Sequence, residues 1–99
     1  MSVYVDTLQP CVTSPKWPWT HSCHLMADSV EELKTFAAKI GLKPEWFQNH
    51  ATLPHFDLTA NMRSKAIIAG AVAIDRHKVR EIMSRSANYR RKRQRSYAV

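Results

Sequence analysis

The stretch HFDLTANMRSKAIIAGAVAID, residues 55–75, decides how this chain folds. It reads as a short strand, a capped helix and a second strand. His55 and Asp57 are two apart, so on an extended segment they point to one face. Thr59 is a good N-cap for a helix from Ala60 to about Ala69, and Gly70 can take the left-handed conformation that ends it. Arg63 lies one turn inside. The first turn of a helix offers unpaired N–H groups to an anion, and a guanidinium beside it favours phosphate or carboxylate. The same residues also fit a structural reading, with Asp57 paired to Arg63 and His55 packing or capping.

Outward from this junction, the 99 residues make one domain with a modest core. No apolar run is long enough to cross a bilayer, and the N-terminal residues lack the pattern of a signal peptide. Cys11 and Cys23 are too few for a disulfide scaffold, which predicts reduced thiols and a cytoplasmic location. The formal charge of +7 is unevenly placed: from Arg76 onward nine Lys or Arg face a single acid, Glu81. Residues 1–75 are nearly neutral, so the high pI describes a tail.

Upstream, SVYVD (residues 2–6) is a strand by propensity, with Asp6 at its carboxyl end, where open α/β sheets hold ligands. Asp6 is equally a turn or capping residue. Residues 7–20 carry Pro10, Pro15 and Pro18 with Trp17 and Trp19, and predict a loop. That loop closes over the core, offers an aromatic platform, or serves as a proline-rich ligand for another protein. His21, Cys23 and His24 invite a zinc reading, but the spacing is not that of a zinc finger and no partner pair follows, so no metal site is assigned.

Ser29 and Glu32 form a capping box ahead of a helix whose apolar residues Val30, Leu33, Phe36, Ala37 and Ile40 keep helical spacing. Gly41 stops it, and Leu42 folds back on its last turn. Lys43 to Gln48 reads as a single turn with Pro44 at its first position. After Gly70, Ala71 to Ile74 is a short strand, buried by its composition. Asp75 caps a third helix with Val79, Ile82 and Met83 facing inward. Strands are therefore expected near 3–6, 23–27, 55–58 and 71–74, and helices near 29–40, 60–69 and 76–88. The fold class is a small α/β domain over residues 1–84 with a basic tail over 85–99, and residues 55–74 form a right-handed crossover onto a parallel neighbour. In the tail, Arg90, Arg91, Lys92, Arg93 and Arg95 suit nucleic-acid phosphates, and Tyr89 and Tyr97 suit stacking. A solubility tail or an acidic protein partner fits the same charge.

Tyr4-Val-Asp6, Trp19, His24-Leu-x-x-Asp28, Glu32-Leu33, Phe36-Ala37, Gly41-Leu42, His55-x-Asp57, Arg63 and Gly70-Ala71 together resemble a family of small bacterial and phage proteins. It is known only as domain of unknown function 4031. The likeness covers roughly residues 3–75, and His24, His55 and Asp57 are its most specific part. His21 and Cys23 lie outside the pattern, and Phe56 stands where the family has tyrosine. The resemblance implies a small α/β fold and a polar site of Asp6, His24, Asp28, His55, Asp57 and Arg63. It implies no settled activity; phage members suggest takeover or counter-defence roles.

Three functions follow as expectations. The first is binding of a phosphate-bearing ligand, nucleic acid or nucleotide, with Arg63 and Thr59 taking phosphate and the histidines taking base or ribose. The second is a phosphoesterase or nuclease with His55, Asp57 and His24 as catalytic groups, and Asp6 and Asp57 orienting a ring or holding a metal. The third is an inhibitor docking on a host protein through the Pro/Trp loop. The cofactor is left unknown.

Overall fold

The computed structural model describes residues 2–50 and 53–85. Its centre is the strand β3, His21–Ala27, which meets three others. The strand β1, Val3–Val5, runs antiparallel to the end of β3, with Val5 opposite Leu25. The two-residue strand β2, Gln9–Pro10, pairs with its beginning. The strand β4, Phe56–Leu58, runs antiparallel to its middle, with His24 opposite Asp57. The strand β5, Val72–Ala73, adds parallel to β1. The expected α/β class is borne out, with five strands instead of four.

Helices complete the element order: α1 (Val30–Lys39), α2 (Ala60–Ile68) and α3 (Arg76–Arg85), plus one 3₁₀ turn at Pro44–Trp46. Their ends follow from local chemistry. The Ser29 hydroxyl accepts from the Glu32 N–H, Thr59 from Met62 and the Asp75 carboxylate from Lys78, each satisfying a donor the first turn leaves open. At the other end of α1, Gly41 takes φ 91°, and the Leu42 N–H returns to the Ala37 carbonyl. Gly70, at φ 118°, ends α2 in the same way, with the Ala71 N–H bonded to Ala66.

Strand alternation divides the sheet into two unlike faces. One carries Val3, Val5, Cys23, Leu25, Phe56 and Leu58, and α1 and α2 cover it with Leu33, Ala37, Ile40 and Ala66. The other carries Tyr4 and Met26 beneath Ile82 of α3, with Val79, Ile74 and Leu53 alongside. Farther along that second face stand Asp6, His24, His55 and Asp57.

Three expectations change. Residues 55–74 do form a strand–helix–strand unit, but β5 pairs with β1 and not with β4, so two strands separate the ends of the crossover. Residues 72–74 are not buried throughout: Val72 is 49% exposed, because β5 is an edge strand and it is Ala71 that enters the core. The loop over 7–20 contains β2, and β3 starts two residues early to pair with it. Trp17 and Trp19 meet edge to face at 4.9 Å outside both apolar clusters. The tail residues Arg90, Arg91, Lys92, Arg93 and Arg95 lie outside the described residues.

Candidate functional site

The site begins with a step in the sheet. Val5 pairs with Leu25, but Gln9 pairs with Ser22, so three residues on the first strand run span two on β3. This is a β-bulge, and Asp6 stands at its start. The Asp6 N–H still reaches the His24 carbonyl at 3.3 Å. The return bond is made differently: the His24 N–H donates to Asp6 Oδ1 at 2.7 Å, so a carboxylate replaces a backbone carbonyl in the ladder. The freed Asp6 carbonyl accepts from Arg63 Nε at 2.9 Å.

Both backbone groups of His24 therefore face β1. Toward β4, His24 and Asp57 form the kind of antiparallel pair that shares no backbone bonds, where facing side chains come closest. His55 stands on the same face as Asp57 by the period of two. An isolated antiparallel bridge between Gln48 and His55 brings the Gln48 side chain alongside.

Each group of this cluster is held from behind. His24 Nδ1 lies 2.7 Å from Asp6 Oδ2, and His55 Nδ1 lies 2.7 Å from the Leu53 carbonyl. Both partners are acceptors, so both Nδ1 atoms carry the proton and, in the neutral rings, both Nε2 atoms carry the lone pair. Asp57 Oδ2 accepts from Gln48 Nε2. The outward atoms converge: His55 Nε2 is 3.5 Å and His24 Nε2 is 3.9 Å from Asp57 Oδ1. The rings meet edge to face with centroids 4.8 Å apart. His55 is nearly buried, whereas the His24 side chain is 44% and that of Asp57 37% exposed, so the cluster opens to water on one side.

Electrostatics follow the contacts. The Asp6 hydrogen bond raises the His24 pKa; burial opposes it, and the charges of Asp6 and Asp57 add to it. Asp57 is held below the ordinary carboxylate value, first by the His55 contact and then, against the cost of burial, by Gln48 and the charge of both rings. Cys23 points to the opposite face, where burial pushes its thiol up to about 12. Packed in the core on that face, Cys23 cannot reach the His24 ring, so the Cys23 half of the H-x-C-H pattern is structural. His21 instead shares a hydrogen-bond contact with the Thr20 hydroxyl at the exposed start of β3.

Of the residues expected at the site, Asp6, His24, His55 and Asp57 come together. Asp28 does not: it lies four positions along β3 from His24, about 13 Å at strand spacing, and binds the Tyr4 hydroxyl and the Ser2 N–H. Arg63 joins only from the other side of the sheet, through the Asp6 carbonyl. Thr59 continues past Asp57, its hydroxyl committed to the cap of α2. Sequence reasoning missed Gln48 and the Leu53 carbonyl. No local pattern marks Gln48, since only the turn after Pro44 carries it back beside β4.

Fold and site define a small mixed-sheet α/β domain with a His–His–Asp cluster on its half-open face. The chain belongs to the family described as protein of unknown function (DUF4031), whose model matches residues 3–86. No curated protein and no solved structure matches it.

Proposed function

We propose that this protein is a small phosphoesterase acting on nucleic acid or a nucleotide at His24, His55 and Asp57. The observation that carries the reading is the pair of imidazoles fixed edge to face, each oriented through Nδ1 and each turning Nε2 toward the half-exposed Asp57 carboxylate. Two such rings suit general acid–base chemistry. One Nε2 takes a proton from the water that attacks phosphorus. The bond from phosphorus to the leaving oxygen breaks, and a protonated ring supplies that oxygen with its proton. Asp6 is placed to stabilise His24 when it is charged, in the manner of an orienting carboxylate.

Hydrolysis is favoured over simple binding because the groups expected to grip phosphate have other partners. Arg63 Nε is on the Asp6 carbonyl and the Thr59 hydroxyl is in its cap. The polyanionic substrate class rests on charge: α3 carries Arg76, Lys78 and Arg80, and the sequence beyond it is more basic still. Two free thiols fit the cytoplasmic setting expected for this chemistry. No helix among the described residues is long and apolar enough to cross a membrane.

Turnover of bis-(p-nitrophenyl) phosphate and of a labelled single-stranded oligonucleotide tests the reading. His24→Gln and His55→Gln should each lower the rate by roughly 100-fold or more. Equal rates in wild type and variants would rule it out. Salt-sensitive oligonucleotide binding without turnover would make the protein a binding module instead.

A further inference from the structure

We propose that His24 Nε2, His55 Nε2 and the Asp57 carboxylate form a binding site for one divalent transition-metal cation of the zinc class. This rests on the phosphoesterase reading and uses the same residues. With a cation bound, however, both Nε2 lone pairs would be ligands, so a metal-held water would supply the nucleophile in place of proton transfer by the rings. Three acceptor atoms face one another there with no hydrogen between them when the rings are neutral. His55 Nε2 and His24 Nε2 stand 3.5 and 3.9 Å from Asp57 Oδ1, and all three ligand atoms lie within 4.8 Å of one another. Lone pairs pointed at a carboxylate repel it, and a cation between them turns that repulsion into three bonds. Ligands 2.0–2.2 Å from a tetrahedral zinc are about 3.4 Å apart, so the two ring-to-carboxylate distances need to shorten by about 0.1 and 0.5 Å and no pair by more than about 1.4 Å.

The surroundings carry the inference further than the ligands do. A metal-binding histidine donates its other N–H to a carboxylate or carbonyl, which fixes the tautomer and aims the lone pair. Here His24 uses Asp6, His55 uses the Leu53 carbonyl, and the second oxygen of Asp57 is held by Gln48. All three ligands are thus pre-oriented by groups drawn from three separate segments. Two imidazoles and one carboxylate suit Zn²⁺, Co²⁺, Mn²⁺ or Fe²⁺ better than Mg²⁺ or Ca²⁺, which prefer all-oxygen shells. Three protein ligands leave a position for water, which a bound cation would acidify for attack on phosphorus.

Asp6 is a positioning residue in this scheme, and Asp6→Asn isolates its role. The asparagine oxygen can still accept from the His24 N–H, but its amide then presents hydrogens to Nδ1. That forces the proton onto Nε2 and removes the ligand lone pair while keeping the sheet intact.

The test is titration of metal-free, full-length protein with CoCl₂, read by visible d–d absorption and by calorimetry. One equivalent per chain is expected, displaced by ZnCl₂. His55→Gln and Asp57→Asn should abolish the absorption, and Asp6→Asn should weaken uptake roughly 10- to 100-fold, whereas His21→Gln with His77→Gln should leave it unchanged. Should the ligand variants fail to fold, nitrogen NMR of the wild-type histidines decides. Zinc should shift Nε2 of His24 and His55 while both Nδ1 atoms stay protonated. Uptake that survives in a folded His24→Gln/His55→Gln protein, or no uptake with both rings protonated at Nε2, overturns the site. Uptake without phosphoester turnover upholds the cation site and sinks the hydrolase. Undiminished turnover in metal-free protein that also takes up no cobalt does the reverse.

Discussion

His24 shows how much one side chain can be asked to do. It sits between two acids on a sheet face, bonded to Asp6 through both its backbone and its ring. Because its pKa is raised in the fold, the protonated form binds Asp6 better than the neutral one. The added stability is fully present below the unfolded value near pH 6.5 and fades as pH rises through the higher folded value. In metal-free protein, the stability gap between wild type and His24→Gln should therefore be wider at about pH 5.5 than at about pH 8. Urea denaturation at the two pH values measures it, and a gap that grows with pH would contradict the assignment. The residue types at the site were legible in the sequence, since His55 and Asp57 announce a shared face by their spacing. Asp28 entered the expected site through the family pattern, which groups residues without placing them in space, and strand spacing alone sets it about 13 Å from His24. Gln48 was invisible because its neighbourhood is made by a bridge between distant segments.

Among the elements, the helices were the most readable, because caps and stops are local chemistry. The cap at Thr59 and the glycine ends of α1 and α2 occur where the residues predict. The strands were less so. The two-residue strand β2 has no period to read and exists only because a neighbour offers a ladder, whereas β5 falls inside the apolar run expected as a strand over 71–74. The end of α2 gives a clean stability prediction. Gly70 has φ 118° and nothing within 4 Å of where a Cβ would stand, so Gly70→Ala adds backbone strain without a clash. It should destabilise the protein by about 1–3 kcal/mol in urea titrations. Its circular dichroism at low urea should be unchanged, because α2 stays anchored by Ala66 in the core.

At the scale of the whole molecule, the excess charge and the site belong to different stretches of the sequence, the one beyond Asp75 and the other between Asp6 and Asp57. Among the described residues, the two apolar clusters draw on none beyond Ile82. Truncation after Arg85 should thus leave the melting temperature within about 2 °C and the cobalt stoichiometry intact. It should also cut oligonucleotide affinity at low salt and flatten its salt dependence, by about one unit of slope per lost phosphate contact. Binding unaffected by the truncation would move the polyanion contacts to α3 or to the site itself. Strand order was the hardest feature to anticipate, since nothing in residues 55–75 says that β5 will seek β1 across two strands.

The single extra residue between Asp6 and Gln9 governs more than local geometry. Were one of Thr7 and Leu8 deleted, the hairpin would zip into even pairing, and the Asp6 carbonyl would return to the His24 amide. Arg63 would then lose its acceptor from across the sheet, and the carboxylate would swing off the imidazole. Shortening this chain by one loop residue would unaim a ring on a different strand while leaving every ring in place.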